Sequence, residues 1–313
     1  RENMARRSGR GGYLVAGAGL GVAAGVALGA LVLAPNMPEG SGGSQVSAGD
    51  VESESQRADI AEAQAASADS VIGELVTGAV DDTLTDRPVL LMHTADANGE
   101  DVAGVASLLE SAGAVDAGTI ALGESFFSRE GADQLKSIVA NTLPAGAQLS
   151  TDRLDPGLHA GEALGSALML NPDNGEEQAT TEERGLLLTA LRDADYLDYE
   201  AGTIRPAQVI VIVTGDSDGS GEAGSVARNL ADFAGALDSR GNGAVLAGRI
   251  RTAADTGAVG VLREADGNGV STVDSVDRSW GRMATVLAVR EQLADEVGAY
   301  GSAESAEAAT PAP

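Results

Sequence analysis

Cysteine is absent from the 313 residues of the chain. This absence excludes disulfide bonds, thiolate metal sites and a cysteine nucleophile. Aromatic residues make up only 3% of the chain, and there are only two histidines. A core with so few aromatic rings has to be filled by aliphatic and small side chains. The 42 glycines therefore predict that backbones approach one another closely.

Positive charge is also scarce, with 20 Lys and Arg against 47 Asp and Glu, and the formal net charge is −27. Four arginines lie within residues 1–12, so the remainder of the chain is still more acidic. A domain of this charge repels nucleic acid and anionic lipid, and we expect neither as its partner. The simpler interpretation of the acidity, that it keeps the domain soluble, stays open.

No charged side chain occurs in residues 13–34, which are almost wholly apolar or glycine. A helix of this length crosses a hydrocarbon layer of about 30 Å. Arg6, Arg7 and Arg10 precede the segment, and the positive-inside rule then puts residues 1–12 in the cytoplasm. We expect a single-pass anchor in the cytoplasmic membrane with the large domain outside it. A cleaved signal peptide is the alternative, although its apolar region is usually shorter.

Within the predicted anchor, glycine recurs at every fourth position, at Gly17, Gly21, Gly25 and Gly29. This spacing places small residues along one helix face, as in transmembrane helix pairs that associate through GxxxG motifs. We therefore expect a homodimer with contacts in the anchor. General richness in glycine and alanine is the other explanation of the pattern.

Residues 35–56 are rich in Gly, Ser and Pro at their start and are predicted to be a linker. Residues 57–80 have apolar positions at helical spacing and are predicted to form a coiled-coil-like stalk helix. Ile60, Val71 and Leu75 are the candidate binding face of this helix for a partner helix. Its alternative role is to space the domain from the lipid.

Residues 86–300 are predicted to form an α/β domain with a mainly parallel sheet and helices on both faces. The all-apolar run at 209–213 is typical of a central parallel strand, and short apolar runs alternate with helical patterns along the rest. Predicted strands lie at 89–93, 117–122, 209–213, 244–247 and 259–262, and predicted helices at 100–111, 129–143, 158–170, 225–237 and 279–297. Thr180 and Glu183 have the spacing of a capping box, and residues 301–313 are predicted to be disordered.

Candidate metal ligands are few. Asp216, Asp218, Ser220 and Gly221 match four positions of a calcium loop, but position 12 is Ala227, which has no carboxylate. His93 follows Met92 and is a weak soft-metal candidate. An acidic helix-capping turn and a structural histidine are the ordinary alternatives, and we expect no metal site. We also expect no cofactor and no enzyme, since the sequence indicates neither a GxxxxGK phosphate loop nor a nucleophile elbow of the G-x-S-x-G type, although two histidines leave a nucleophile–His–acid set open.

Several stretches resemble one known family. They are VLAP at 32–35, DRPVLL at 86–91, LPAGAQLS at 143–150, STVDSVD at 271–277 and LAVREQL at 287–293. This pattern is similar to the actinobacterial MctB family, named for a copper transport protein, and within it to the corynebacterial SteB branch. The resemblance covers nearly all of residues 13–301 and brings no catalytic residues with it.

The family name implies copper export and a pore in the mycobacterial outer membrane. The SteB branch implies a membrane-anchored partner of the cytoplasmic protein SteA, acting in cell-wall assembly and cell separation on a RipA-type peptidoglycan hydrolase. One helix does not enclose a water-filled channel, and soft metal ligands are scarce. We therefore expect a scaffold or regulator that meets a SteA-like partner through the anchor region and a cell-wall hydrolase outside, with copper transport as the alternative.

Overall fold

The computed structural model describes residues 48–312. The predicted cytoplasmic end, the anchor with its four glycines, and the first part of the predicted linker lie outside this range. Among residues 48–312, no helix combines the length and the apolar character that crossing a bilayer requires. The residues from Ile60 onward form one compact unit.

The described chain alternates helices and strands, as the sequence predicts. The helices are α1 (Ala48–Val80), α2 (Gly99–Ser111), α3 (Ala132–Asn141), α4 (Pro156–Leu168), α5 (Thr181–Asp193), α6 (Ala223–Asp238), α7 (Ala258–Glu264) and α8 (Ser279–Gln292). The strands are β1 (Pro88–His93), β2 (Val115–Leu122), β3 (Leu197–Tyr199), β4 (Val209–Val213), β5 (Ala244–Ala247), β6 (Ser271–Val273) and β7 (Ala299–Tyr300). A short 3-10 helix, Ile250–Ala253, follows β5.

All seven strands form one sheet in the order β3-β2-β1-β4-β5-β6-β7. Every pairing is parallel except that of β2 with β3. The central strand β4 is buried at all five positions, which matches its all-apolar sequence. The expected mainly parallel α/β fold is therefore confirmed.

Two hydrophobic cores lie on opposite faces of the sheet because successive strand side chains alternate in direction. One core contains Leu90 and Ile210, together with side chains of α3, α4, α5, α6 and α7. The other contains Leu91 and Val211, together with side chains of α1, α2 and α8. Helices thus cover both faces of the sheet.

Three expectations differ from the structure. The run at 259–262 is helical rather than a strand, because Val259 and Leu262 are both buried at helical spacing, and such a short apolar run does not distinguish the two by itself. The strand of this region is instead β6. Residues 48–56 belong to α1 rather than to a linker.

The end of the chain follows a defined path where the sequence suggested disorder. Asp274 is fully buried and forms an ion pair of 2.9 Å with Arg263. Its carboxylate also accepts a hydrogen bond of 2.7 Å from the Ser302 N–H. The Gly301 N–H then donates to the Ala308 carbonyl over 3.0 Å. A buried charge thus fixes a segment whose composition alone is typical of a loose tail.

Close packing between α4 and α6 depends on glycine. A Cβ atom added at Gly161 would lie 2.5 Å from the Phe233 carbonyl oxygen and 2.6 Å from the Ala236 Cβ. Gly157, one turn earlier, faces α6 still more closely, since a Cβ there would overlap the Asn229 carbonyl oxygen. A Cβ at Gly165, one turn later, would lie 2.8 Å from the Arg240 side chain, just beyond the end of α6. Because these glycines lack side chains, the two helix backbones approach each other directly.

We predict opposite effects for two alanine substitutions within helices. Gly161→Ala should lower the free energy of unfolding by about 1–3 kcal/mol, because the neighbouring backbone must move. Gly185→Ala in α5 meets nothing within 4 Å and should raise it by about 0.5–1 kcal/mol through helix propensity. Urea denaturation followed by circular dichroism measures both, and a gain at Gly161 would contradict the packing described here.

A second prediction concerns Asp238 at the end of α6, whose Oδ1 accepts a hydrogen bond of 3.2 Å from the Ala244 N–H. Burial raises the pKa of Asp238 to about 6, against the lowering effect of that hydrogen bond. Because the folded state favours the neutral acid, its stabilising contribution is complete below the ordinary pKa of about 3.9 and is lost as the pH rises through about 6.

Asp238→Asn keeps the acceptor oxygen and removes the charge. It should therefore raise the free energy of unfolding at pH 7.5 by about 1–3 kcal/mol relative to the parent, and the gain should fade towards pH 4. Urea titrations at several pH values test this. Asp266→Asn, on an exposed turn, controls for the general loss of negative charge. A gain that is independent of pH, or equal in both variants, would refute the prediction.

Candidate functional site

A crevice opens at the carboxyl ends of the central strands. Strands β1 and β4 are neighbours in the sheet. From β1 the chain continues to β2, towards one edge of the sheet, and from β4 it continues to β5, towards the other edge. Ligands of open α/β sheets bind outside the strand ends at such a switch point. We call the cavity here, about 350 Å³ in volume, the strand-end crevice.

The lining of the strand-end crevice includes both polar and apolar side chains. Its polar lining residues are Thr94, Asp96, Glu124, Thr214, Ser217 and Thr252. Its larger apolar lining residues are Phe127, Val226 and Leu230. The loops after β1, β2, β4 and β5 therefore all contribute to one site, although they are far apart in the chain.

Hydrogen bonds join the loops after β1 and β4. The Thr94 hydroxyl lies 2.6 Å from Asp96 Oδ1 and 3.1 Å from the Thr214 hydroxyl. Gly215 packs directly on Asp96, since a Cβ there would be only 2.5 Å from the Asp96 carbonyl oxygen. Only glycine permits this approach, so the polar side of the crevice has a fixed geometry.

Ser217 lies in a Gly-Asp-Ser-Asp-Gly stretch, 215–219, which matches the G-x-S-x-G pattern of nucleophile elbows. The expectation of no such elbow overlooked this match. In the structure Ser217 comes four residues after the end of β4 and has no positive φ angle, so the sharp strained turn of an elbow is missing. Its hydroxyl accepts a hydrogen bond of 3.3 Å from the Gly219 N–H, and no histidine of residues 48–312 bonds to it.

The two aspartates of the calcium-like loop contact the segment after β5. Asp216 Oδ1 accepts a hydrogen bond of 3.1 Å from the Arg251 N–H, and Asp218 Oδ2 lies 3.2 Å from Arg251 Nη2. The Ser220 N–H bonds to Asp218 and, with Arg251, lowers the pKa of Asp218 to about 2. These carboxylates thus hold loops together through Arg251, and no group of three or more candidate metal ligands occurs within residues 48–312.

The two histidines, both within residues 48–312, do not take part in a common group of metal ligands there. Met92 is fully buried in the core with Leu90, while His93, the next strand residue, points to the opposite face. His93 Nδ1 lies 3.3 Å from the Thr94 carbonyl. His159 Nε2 lies 3.0 Å from each of two carbonyls, those of Ser150 and Arg153, so it has the contacts of a structural residue.

The predicted binding face of the stalk is exposed. Ile60, Val71 and Leu75 are 59%, 62% and 67% exposed, and at about 100° per residue they lie within roughly 60° of one another around the helix. We call these three residues the α1 stripe. Two further residues of α1, Val76 and Val80, are buried in the core on the other side of the helix.

Polar contacts also hold α1 on the side away from the stripe. Asp69 accepts a hydrogen bond of 2.8 Å from the Ser279 N–H and one of 3.2 Å from its hydroxyl. Glu62 forms an ion pair of 3.3 Å with Arg278. The helix therefore presents the α1 stripe outward because its opposite side is engaged with α8.

Comparison with known proteins gives a consistent result. The family described as "Copper transport outer membrane protein, MctB" matches residues 14–311. Copper transporter MctB of Mycobacterium tuberculosis (strain ATCC 25618 / H37Rv) is 36% identical over 236 residues, 74% of this chain and 75% of that one. Its namesake in Mycobacterium leprae (strain TN) is 34% identical over 248 residues, 76% of this chain and 77% of that one. This chain belongs to the MctB family.

Proposed function

We propose that this protein is a membrane-anchored, non-catalytic scaffold outside the cytoplasmic membrane, regulating cell-wall assembly and cell separation. In this proposal residues 13–34 cross the membrane and the anchor region meets a SteA-like cytoplasmic partner. The outer domain binds a RipA-type peptidoglycan hydrolase or its regulatory segment. The observation that carries the proposal is the α1 stripe, an exposed apolar surface on a helix that is otherwise well held.

Three large aliphatic side chains on one helix face favour association with another helix. The neighbouring polar contacts to Ser279 and Arg278 keep α1 from rotating to bury them. The occupant that we propose is α1 of a second copy, which would bring two stripes together in a parallel pair. The four-residue glycine spacing of 17–29 supports the same pairing in the membrane.

Copper export is the second candidate, and the names of the relatives favour it. The side chains described above offer it little chemical support. Copper prefers sulfur and imidazole ligands, yet Met92 and His93 point to opposite faces of the sheet, and His159 contacts two backbone carbonyls. The acidic loop at Asp216 and Asp218 provides only oxygen ligands, both of which already contact Arg251.

The first prediction of this proposal concerns the homodimer. Replacing Ile60, Val71 and Leu75 together by Gln should weaken dimerisation of the full-length chain in membranes, because the apolar area buried between the two helices is lost. Photo-crosslinking in native membranes with a reagent that does not depend on particular side chains, followed by quantification of monomer and dimer, measures this.

The matched control replaces three exposed aliphatic residues elsewhere by Gln, namely Leu154, Leu186 and Ile250, which are 59%, 58% and 51% exposed. It should leave the dimer fraction unchanged. If the parent chain is only monomeric in membranes, or if both triple variants lose the dimer equally, the α1 stripe is not the dimer contact.

The second prediction concerns the cell. Deletion of the gene should leave daughter cells unseparated and sensitive to antibiotics that target the wall. The parent gene and the control triple variant should restore separation, while the α1 stripe variant should not, because the scaffold then lacks its contact surface. Microscopy of division septa and antibiotic sensitivity measure the outcome.

Copper content of the same strains separates the two candidate functions. The scaffold proposal predicts the same intracellular copper in deletion and parent strains, measured by mass spectrometry after copper challenge. Deletion cells that separate normally but accumulate copper would replace the scaffold by the transport function.

A further inference from the structure

We propose that the strand-end crevice is a binding site for a small organic amine, a cation carried on a partly apolar skeleton. This inference goes beyond the scaffold function, which uses the α1 stripe. It rests on the position of the crevice, its charge, its hydroxyl groups and its apolar wall.

Position and size indicate a small-molecule site. The crevice lies at the switch point between β1 and β4, where open α/β sheets bind their ligands. Its volume of about 350 Å³ is at the lower end of the range for such sites, roughly 300–1,000 Å³. The ligand is therefore a small molecule rather than a dinucleotide.

Charge selects the class of ligand. Asp96 and Glu124 are the charged side chains among the lining residues, and within residues 48–312 neither forms an ion pair with Lys or Arg. The two arginines of the segment after β5, Arg249 and Arg251, form ion pairs with Asp101 and Asp218. Glu222 occupies the N-cap of α6 beside the crevice. Phosphates and carboxylates are repelled by this arrangement, whereas a cation is attracted.

Hydroxyl groups supply further acceptors. Thr214 and Thr252 line the crevice and are only 5% and 2% exposed. The single Thr94 proton goes to one acceptor at a time, and the short distance to Asp96 favours that carboxylate. Thr214 then donates to Thr94, which leaves the Thr214 oxygen as an acceptor. An ammonium group has three donors and no acceptor, and so it matches these oxygens.

The apolar part of the lining takes the skeleton of the ligand. Phe127, Val226 and Leu230 form an apolar surface there, and Val226 remains 40% exposed. A free ammonium ion would leave this surface in contact with water. An amine attached to an aromatic or aliphatic group covers it, with the charge placed towards Asp96 and Glu124.

The test uses three probes that share one skeleton and differ in charge: benzylamine, benzyl alcohol and benzoate. Saturation-transfer NMR titrations are made on the full-length chain in nanodiscs of neutral phosphatidylcholine, with empty nanodiscs subtracted. Benzylamine should bind. Benzyl alcohol should bind at least about five-fold more weakly, and benzoate should not bind.

Variants show whether binding occurs in the crevice. Asp96→Asn and Glu124→Gln should each weaken benzylamine about five-fold and leave benzyl alcohol unaffected, while Ala227→Phe should fill the crevice and abolish both. Glu264→Gln, an exposed carboxylate outside the crevice, should change nothing. Both crevice carboxylates are exposed, so their variants are expected to fold even if Ala227→Phe does not.

Three results would overturn the proposal. Benzylamine does not bind, benzoate binds as well as benzylamine, or benzylamine binding is unchanged in the double variant D96N/E124Q. The last result would assign the binding to the general acidity of the surface, since the double variant removes only two of the 47 acidic side chains. None of these variants touches the α1 stripe, so this test and those of the scaffold function fail independently.

Discussion

The need to cover both faces of a parallel sheet with small side chains governs this structure. Strand β4 is buried throughout, and its backbone must be shielded from water on each side. With aromatic residues at only 3% of the chain, few large side chains are available to fill the space between layers. The helices therefore come close to one another, and the glycines of α4 allow its backbone to lie directly against α6.

Three of the few aromatic rings form one cluster. Phe126, Phe127 and Phe233 pack edge to face, with ring centroids 4.9–5.5 Å apart. Arrangements of this kind contribute beyond the area that they bury. Phe127 also lines the strand-end crevice, so this cluster connects the apolar part of its lining to the first core.

Helix α1 has one side in the core and one side exposed. Val76 and Val80 complete the second core, so α1 is part of the fold rather than an appended stalk. Its outward side carries three large aliphatic residues that the domain itself does not cover. The free side of this helix is the surface on which the proposed scaffold function depends.

Family membership and chemistry answer different questions here. Membership rests on matches that cover most of the chain, and it identifies relatives named as copper transporters. Metal chemistry depends on a few side chains with the right geometry, and a fold does not supply these by itself. The opposite directions of Met92 and His93 follow from strand alternation alone, and they show why adjacent donors in sequence do not form one site.

The sequence by itself determined the alternation of helices and strands, the central position of 209–213, and the capping box at Thr180, whose hydroxyl accepts the Glu183 N–H over 3.2 Å. These features depend on residues close together in the chain, where periodicity and caps carry the information. Helical spacing also groups Ile60, Val71 and Leu75, which are exposed, but the sequence alone does not show that Val76 and Val80 are buried.

Only the tertiary structure decided the rest. The run at 259–262 is a helix because α7 packs against the first core. Ser302 contacts the domain because Asp274, paired with Arg263 eleven residues away, accepts a hydrogen bond from its N–H. The strand-end crevice joins side chains from loops as distant as Thr94 and Thr252. Such contacts are set by the order of strands in the sheet, which short-range patterns do not encode.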